Sequence, residues 1–404
     1  MPQARVPVGI PLREKISPPL RRQKRTLINI IMKILYITYG LSSGGAERFL
    51  VDLLNQMVKK SGVEATLLLI KAGDIPGSRF YEKELDHRVI IKSLGLHKIG
   101  VSVLTKLYQA VRQEQPDIVH VHLSPIVLFC LLPLLLYRRP VYMETLHNEV
   151  ARIDNSSKMK RFLKSFVYKT GLVKVCTISD KNAHEYQRVY GRPCDAMIYN
   201  GRKQMEKTAD FCRVQEEVRS YKADEDTTVF IHIARCAKQK NQRLLVDAFN
   251  VFSEDKNVTL LILGRDFDSA EGKALQKKAC DKIHFLGEKH NVQDYLSCSD
   301  AFVLSSSYEG MPITLIEALS CGCVPISTPV SGVVDLVKSG ENGFVSKDFS
   351  RDSFVAVLNE FMLRKNRIDR NSLVKLFDDK LSIEACANSY YKFYDQCLQS
   401  KKER

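Results

Sequence analysis

Two glutamates in one short stretch are the first candidates for chemistry in this sequence. The segment SSSYEGMPITLIEALSCG, residues 305–322, contains Glu309 and Glu317 eight positions apart. Pro312 favours a helix start, because a proline in the first helical turn loses no hydrogen bond. Glu309 is then predicted on a loop and Glu317 in the second turn of the helix. Two such carboxylates could be an acid/base pair, a metal site, a sugar-binding pair or unrelated surface charges.

Basic side chains predicted at the same sheet edge favour a nucleotide-sugar ligand. The stretch HIARCAKQKN places Arg235 and Lys240 after a predicted strand and just before a helix that opens near Asn241. A planar guanidinium and a mobile ammonium suit a diphosphate, as do the free N–H groups of the helix start near Pro312. Carboxylates repel phosphate but accept hydrogen bonds from sugar hydroxyls. Each charge taken alone could instead be an ordinary surface charge.

A glycine pair follows the first predicted strand. In YGLSSGGAER, Gly44 and Gly45 lie where the strand gives way to a helix. Glycines at such a place let the backbone approach an anionic ligand closely. The spacing differs from the GxGxxG pattern of dinucleotide sites, which disfavours NAD. A simple turn is the alternative.

Histidines occupy two further predicted strand ends. VHVHLS contains His120 and His122, which we expect to face opposite sides of a strand, and METLHN contains His147. A lone histidine is more often structural than catalytic. His147 is the better catalytic candidate, because its strand would open into a cleft between domains.

Short apolar runs alternate with amphipathic stretches from Met32 onwards, which predicts an α/β fold of two doubly wound, Rossmann-like parallel-sheet domains facing a cleft. The predicted strands are 33–38, 64–70, 88–91, 117–121, 140–146, 174–177 and 196–199, then 228–233, 258–263, 282–285, 300–304, 324–327 and 343–345. The predicted helices are 45–60, 101–114, 125–137, 157–170 and 180–190, then 241–254, 270–279, 291–297, 312–320 and 350–364. The expected units are a disordered basic extension at 1–31, an acceptor-side domain at 32–204, a donor domain at 205–380, and a helix at 381–404 that packs back across the interface.

Composition narrows the class of protein. The 404 residues, 45% hydrophobic and 26% charged, are typical of a globular chain of two domains. Eleven cysteines without a CxxC pair indicate neither a zinc site nor a disulfide framework and favour a reducing cytoplasm. The net charge of +15 favours anionic membranes or phosphorylated ligands. Nucleic acid is disfavoured, because the sequence has no zinc-finger spacing and no repeat of basic and aromatic residues.

Two segments carry much of the positive charge. Residues 1–31 have seven lysines and arginines against one acid. Met32 is the favoured true start, and a basic targeting or membrane-binding tail is the alternative. Residues 152–174 have seven more basic residues, and apolar side chains from Met159 to Val167 recur at i, i+3, i+4, i+7 and i+8. That helix either packs into the core, which we favour, or also contacts anionic lipid.

The ordered set of motifs resembles the retaining GT-B glycosyltransferases of glycosyltransferase family 4, also called glycosyl transferases group 1. The matching pieces are GGAE (44–47), LHN (146–148), IYNG (198–201), RCAKQKN (235–241), EGMPITLIEALSCGCVPIST (309–328) and ENGFV (341–345). The resemblance extends from Met32 to about residue 398. LHN in place of the commoner His-Asp, and IARCAKQ in place of the usual Gly-Arg-Leu, leave the details of the donor open.

The resemblance implies a metal-independent hexosyltransferase without a cofactor. It would move a sugar, with retention, from a UDP-sugar (or GDP-sugar) to a glycan or polyprenyl-diphosphate-linked acceptor in surface polysaccharide synthesis. The expected location is cytoplasmic, at the anionic inner face of the plasma membrane. The implied catalytic residues are His147, Glu309, Arg235 and Lys240. The implied donor-binding residues are Gly44, Gly45, Arg235, Lys240, Gly264, Glu309, Gly310, Met311, Pro312, Ile313, Thr314 and Glu317.

The same resemblance implies individual roles. Arg235 and Lys240 would bind the diphosphate, and Glu317 would accept hydrogen bonds from the ribose hydroxyls. Glu309 would contact the transferred sugar, as would His147 from the first domain. Gly45, also in the first domain, would close over the diphosphate. The donor phosphate itself would act as base toward the acceptor hydroxyl.

Three other functions stay open from the sequence. A glycoside hydrolase would use Glu309 and Glu317 as its carboxylate pair, but it would leave Arg235, Lys240 and the glycine loop without roles. A nucleotide-sugar epimerase has a similar two-domain plan. A non-catalytic nucleotide-sugar binder would need the same binding groups without the reaction.

Overall fold

The structure is a computed structural model that describes residues 31–123, 126–147, 150 and 158–403. The predicted extension at 1–31 lies outside these residues apart from its last member. Two parallel β-sheets, one in each half of the chain, organise the described residues. The predicted α/β fold with two doubly wound sheets is confirmed.

The first sheet has seven strands in the order β3-β2-β1-β4-β5-β6-β7. The strands are β1 Met32–Thr38, β2 Val63–Lys71, β3 Ile90–Leu96, β4 Ile118–His122, β5 Val141–Leu146, β6 Lys174–Thr177 and β7 Ala196–Met197. The helices around it are α1 Gly45–Met57, α2 Ser102–Glu114, α3 Ile126–Phe129, α4 Leu131–Leu136, α5 Lys158–Lys169 and α6 Asp180–Tyr190, with a 3₁₀ turn at Glu82–Glu84.

The second sheet has six strands in the order β10-β9-β8-β11-β12-β13. The strands are β8 Thr228–Ile233, β9 Val258–Leu263, β10 Ile283–Gly287, β11 Ala301–Leu304, β12 Val324–Ser327 and β13 Phe344–Val345. The helices are α7 Phe211–Ser220, α8 Gln242–Phe252, α9 Ala270–Lys278, α10 Val292–Ser297, α11 Ile313–Ser320, α12 Val333–Leu336, α13 Arg351–Arg364, α14 Arg370–Leu376 and α15 Ile383–Lys402. The 3₁₀ turns Lys238–Lys240 and Lys365–Arg367 and the π turn Phe377–Leu381 complete this half.

Strand order fixes where a ligand can bind. Sequence order reverses between β1 and β4 in the first sheet and between β8 and β11 in the second. The helices that follow the inner strands leave the sheet on opposite faces at such a reversal, so a crevice opens at the carboxyl ends of the strands. The glycine loop follows β1, and the loops that carry Arg235 and Glu309 follow β8 and β11.

The central strands are apolar because both of their faces are covered. All six residues of β8 (TVFIHI) and of β9 (VTLLIL) are buried, as expected for parallel strands between two helical layers. This continuous apolar pattern made these strands predictable from sequence to within a residue.

The predicted helix 125–137 is wrong as a single element. The chain forms α3 and α4 instead, with Cys130 between them. Pro133 explains the break, because its ring would clash with the carbonyl of Phe129 four residues earlier in a continuous helix.

Helix α7 was not predicted from the sequence, because only Val214 and Val218 form a narrow buried stripe in an otherwise polar segment.

The last helix, α15, packs on the first sheet through a buried polar network. The Tyr394 hydroxyl lies 2.6 Å from His120 Nδ1 and 3.3 Å from the Tyr36 hydroxyl. Thr145 Oγ1 lies 2.8 Å from His120 Nε2 and 3.0 Å from the Tyr390 hydroxyl. The chain therefore returns to the first sheet after completing the second, and α15 joins the core around β1, β4 and β5.

The prediction that His120 and His122 face opposite sides of their strand is wrong. Their ring centroids are 4.2 Å apart on one face of β4. Residues two apart along a strand share a face, and only immediate neighbours alternate. Both rings therefore point toward α1 and α15, and His122 Nδ1 lies 3.0 Å from His147 Nε2.

Burial keeps these imidazoles neutral. Desolvation lowers the pKa of His120 to about 3 and the pKa of His147 to about 4, and it lowers the pKa of His122 well below its ordinary value. In the second sheet, desolvation lowers the pKa of His232 to about 4. An imidazole that is neutral in the core has one donor and one acceptor nitrogen, which suits hydrogen-bonded chains such as these.

None of the helices in the described part of the chain is both long enough and apolar enough to cross a membrane.

We predict that Tyr394→Phe lowers the free energy of unfolding by about 1–3 kcal/mol, because it leaves His120 Nδ1 buried without its partner. Tyr391→Phe is the matched control, since the Tyr391 side chain is partly exposed and its ring lies 5.4 Å from the Lys60 ammonium. Thermal unfolding of both variants checks this. Equal melting temperatures for the two variants would contradict the role given to Tyr394.

We also predict that stability falls as the pH is lowered from about 6.5 toward about 4. Across this window an unfolded histidine binds a proton that His120, His147 and His232 cannot bind while folded. Each contributes a slope of up to about 1.4 kcal/mol per pH unit. Melting temperatures between pH 7.5 and pH 4.5 measure the slope. His232→Gln should flatten it, and the same change at exposed His87 should not; an unchanged slope in the His232 variant would refute this.

Candidate active site

The glycine loop after β1 lies directly against the second domain. Helix α1 begins at Gly45, and Gly44 precedes it in extended conformation. A Cβ added at Gly45 would lie 3.3 Å from Ile313 Cγ1, at the start of α11. Arg265 Nη1 donates to Ser43 Oγ at 2.7 Å in the same loop. Glycine at residue 45 therefore lets the start of α1 pack directly against the Ile313 side chain.

Lys240 and Glu309 form an ion pair between the loops that follow β8 and β11. Lys240 Nζ lies 2.7 Å from Glu309 Oε1, and Ser306 Oγ donates to the same oxygen at 2.8 Å. The loops are held together through their backbones, since Ser307 N–H donates to the Gln239 carbonyl at 2.8 Å. Glu309 is buried, with 7% of its surface exposed. These two donors hold its carboxylate in one orientation.

Two arginines follow adjacent strands in this domain. Arg235 comes after β8 and is exposed; among the described residues its guanidinium has no hydrogen-bond or ion-pair partner. Arg265 comes after the neighbouring β9 and was not predicted from the sequence, although the GRD that follows this strand is a basic strand end of the same kind. Packing requires glycine at residue 264, directly before Arg265, because a Cβ there would overlap the Ala234 carbonyl. This contact explains the glycine without a ligand.

Helix α11 presents unpaired N–H groups to the same region. Pro312 is the residue before the helix, with φ −67° and ψ 119°, and α11 begins at Ile313, so the predicted start is correct to within a residue. Met311 is buried. The N–H groups of Ile313 and Thr314 belong to the first turn and have no acceptor within the helix.

His147 meets the second domain at Gly310. A Cβ on Gly310 would overlap the His147 carbonyl, so this contact too depends on glycine. Within the described residues, His147 Nδ1 is buried and has no hydrogen-bond partner. The neighbouring Asn148 of the LHN motif lies outside the described residues.

Glu317 is held by a residue that the sequence did not suggest. Arg202 Nε donates to Glu317 Oε1 at 2.8 Å, and Arg202 Nη1 donates to Asp52 Oδ2 at 2.6 Å. The two candidate glutamates therefore belong to separate ion pairs, one with Lys240 and one with Arg202. This arrangement gives each carboxylate a cation as its partner rather than a second carboxylate.

The structure places all of the predicted site residues in or beside the loops that follow β1, β5, β8, β9 and β11. The second-domain groups are Arg235, Lys240, Gly264, Glu309, Gly310, Met311, Pro312, Ile313, Thr314 and Glu317; the first-domain groups are Gly44, Gly45 and His147. Cations and helix N–H groups can bind phosphate there, and the carboxylates can accept hydroxyl hydrogen bonds. The arrangement therefore suits a ligand that has both phosphates and hydroxyls.

Two family models match the chain in succession. Residues 43–202 match the model described as Glycosyltransferase Family 4, and residues 213–375 match the model described as Glycosyl transferases group 1. The first match covers the glycine loop and His147, and the second covers Arg235, Lys240 and both glutamates.

Curated relatives agree with these models. The chain is 24% identical over 290 residues to an Escherichia coli UDP-Gal:alpha-D-GlcNAc-diphosphoundecaprenol alpha-1,3-galactosyltransferase, over 69% of this chain and 70% of the relative. It is 22% identical over 390 residues to the Staphylococcus aureus capsular polysaccharide biosynthesis glycosyltransferase CapH, over 89% of this chain and 99% of the relative.

A solved structure has the same fold. The Anabaena protein HepE, in complex with UDP and glucose, superposes with a TM-score of 0.72 at 17% identity and covers 92% of this chain and 100% of its own. Both domain models, the relatives and the fold agree: the chain belongs to glycosyltransferase family 4 (glycosyl transferases group 1), and it is a GT-B glycosyltransferase.

Proposed function

We propose that this glycosyltransferase transfers a sugar from a nucleotide-sugar to a lipid-linked glycan at an anionic membrane surface, with retention and without a metal ion. The observation that carries the proposal is the cluster of Arg235, Lys240 and the α11 start beside the carboxylates Glu309 and Glu317. This cluster lies at the strand-order reversal of the second sheet and faces the glycine loop of the first domain.

The donor diphosphate would bind between the domains. Arg235 has a guanidinium free to form two parallel hydrogen bonds to phosphate oxygens, and Lys240 adds a point charge. The N–H groups of Ile313 and Thr314 point out of the first turn of α11, where the helix dipole favours an anion. Gly45 lies against that turn and lets the α1 start approach the phosphates from the opposite side. These groups supply positive charge of the kind a divalent cation would otherwise bring.

The sugars would be bound by carboxylates and a neutral imidazole. Glu317 would accept hydrogen bonds from the ribose, and Glu309 from the transferred sugar. Desolvation lowers the pKa of His147 to about 4, so its ring is uncharged at neutral pH and offers Nδ1 as a hydrogen-bond partner to a sugar hydroxyl. Such fixed polar groups hold the anomeric carbon in one position relative to the acceptor.

In the proposed reaction, the bond between the anomeric carbon and the diphosphate oxygen breaks as the acceptor oxygen bonds to the same face of that carbon. The proton of the acceptor hydroxyl passes to the departing diphosphate. The protein then needs no proton-transferring carboxylate. Arg235, Lys240 and the α11 N–H groups stabilise the charge that develops on the leaving phosphate.

The acceptor side is supported by an exposed apolar and basic face of α5, in the first domain. Met159, Phe162 and Phe166 are 67%, 69% and 50% exposed, and Lys160 and Arg161 beside them are exposed as well. Aromatic and basic side chains together are typical of helices that lie on anionic membranes. A diphosphoundecaprenol acceptor, as named for the Escherichia coli relative, would be held in such a membrane. UDP is favoured as the donor nucleotide, because the name of the same relative gives UDP-Gal as its donor.

The sequence favoured packing of this helix into the core, and the structure agrees only for the side of the helix that faces the sheet. Val167 and Tyr168 are buried in the core of the first domain, while the Phe162 face remains exposed. One helix can therefore pack against the sheet with one side and contact lipid with the other.

We predict that Lys240→Ala lowers kcat/KM for the nucleotide-sugar by about 100-fold or more, the magnitude expected when a charge-stabilising donor is removed. Lys238→Ala is the matched control, because Lys238 lies in the same 3₁₀ turn but is exposed and should change the rate less than about twofold. Initial rates of nucleoside diphosphate release measure both. Full activity of the Lys240 variant would show that the diphosphate assignment is wrong.

We further predict that the double variant Phe162→Ser/Phe166→Ser loses most of its binding to phosphatidylglycerol vesicles, while activity on a water-soluble acceptor is retained. The control is Leu363→Ser, which changes a side chain that is 83% exposed on α13. Vesicle co-sedimentation, with phosphatidylcholine vesicles for comparison, gives the result. Equal vesicle binding by the double variant and the wild-type protein would exclude α5 as the membrane-binding face.

A further inference from the structure

Arg202 lies where both chain crossings between the domains meet. Its backbone N–H donates to the Leu381 carbonyl at 2.9 Å, and its own carbonyl accepts from Ile383 N–H at 2.9 Å. The first crossing leads from β7 toward α7, and the second leads from the π turn Phe377–Leu381 into α15. The backbone of Arg202 is therefore fixed by the only two parts of the described chain that pass from one sheet to the other.

The Arg202 side chain joins a carboxylate from each domain. Glu317 lies in the second turn of α11, and Asp52 lies in α1, the helix that begins at the glycine loop. The distances are 2.8 Å from Arg202 Nε to Glu317 and 2.6 Å from Nη1 to Asp52. One guanidinium thus connects the helix that would close over the diphosphate with the carboxylate that would bind the ribose.

The charges in this cluster favour arginine. Arg202 is 7% exposed and Asp52 is 1% exposed. Burial opposes the charge of Arg202, but Glu317 and Asp52 together raise its pKa above the ordinary value. Arginine has separate donor nitrogens in a rigid plane, so it can bond two carboxylates in different directions, whereas a lysine has one nitrogen. Lys203 Nζ, 3.8 Å from Asp52 Oδ1, supplements the charge but is not bonded to Glu317.

Arg202 leaves part of Glu317 available. The guanidinium bonds Oε1, and the other carboxylate oxygen, Oε2, has no hydrogen-bond partner among the described residues. A carboxylate with one oxygen held by a fixed cation cannot rotate freely, so its second oxygen points in a defined direction. This is the condition for selective recognition of a hydroxyl.

We propose that Arg202 is a positioning residue of the donor site: it orients Glu317 toward the ribose hydroxyls and links that carboxylate to Asp52 across the domain junction. The inference rests on the proposed nucleotide-sugar donor. It implies that the preference for ribose over deoxyribose depends on a residue that does not touch the nucleotide.

The test compares dissociation constants of UDP and 2′-deoxy-UDP by isothermal titration calorimetry, with GDP and 2′-deoxy-GDP as a second pair. In the wild-type protein the ribose form should bind about tenfold more tightly, as expected for a hydroxyl bonded to a charged acceptor. Arg202→Met should reduce this ratio to about twofold or less, and Arg202→Lys should give an intermediate ratio. Lys203→Met, the matched control, should leave the ratio unchanged.

A double variant separates positioning from a general loss of structure. If Arg202 acts through Glu317, then Arg202→Met should change the ratio little in a Glu317→Ala background. Asp52→Asn, which keeps a hydrogen-bonding amide, should lower the ratio by a smaller amount. It replaces Arg202→Met as the test variant if Arg202→Met does not fold. The inference is overturned if Arg202→Met weakens both nucleotides equally, or if the wild-type protein does not distinguish them. The proposed donor itself fails if the wild-type protein binds neither UDP nor GDP.

Discussion

The close packing of two glycines across the domain junction is the constraint on which the rest of the site depends. Gly45 meets Ile313, and Gly310 meets the carbonyl of His147. A Cβ at residue 310 would overlap the His147 carbonyl and push the domains apart, whereas a Cβ at residue 45 would require a smaller shift of the Ile313 side chain. Because neither glycine has a side chain, the backbone N–H groups at the starts of α1 and α11 lie close to the junction between the domains.

Charge in the site is arranged in pairs that cross from one loop or domain to another. Lys240 pairs with Glu309 between two loops of the second domain, and Arg202 pairs with Glu317 and Asp52 between domains. Each carboxylate that would bind a hydroxyl is therefore already oriented by a cation. Arg235 is different, since its guanidinium has no partner in the described chain and would therefore be available to bind phosphate. The pairs explain how acidic and basic groups coexist near a dianionic ligand without the acids repelling it.

The sequence was a good guide wherever one local pattern determined the structure. Buried parallel strands such as β8 and β9 are continuous apolar runs, and Pro312 marked the start of α11, so the fold and the loops after β8 and β11 were predictable. Features that depend on distant partners were not. Nothing local to Arg202 indicates that it meets Asp52 and Glu317, 150 and 115 residues away. Arg265 is different, because it follows the buried strand β9 just as Arg235 follows β8, and the sequence therefore contained a signal for it that was overlooked.

Analysis of the reaction products is the sharpest test of whether the protein transfers sugar from a nucleotide-sugar to an acceptor. The wild-type protein would be incubated with an α-linked UDP-sugar and a polyprenyl-diphosphate-linked acceptor. Released UDP, free sugar and the anomeric configuration of the product would then be followed by NMR. We predict one UDP for each new glycosidic bond, an α-linked product and no free sugar. UDP release matched by free sugar, or a β-linked product, would contradict it.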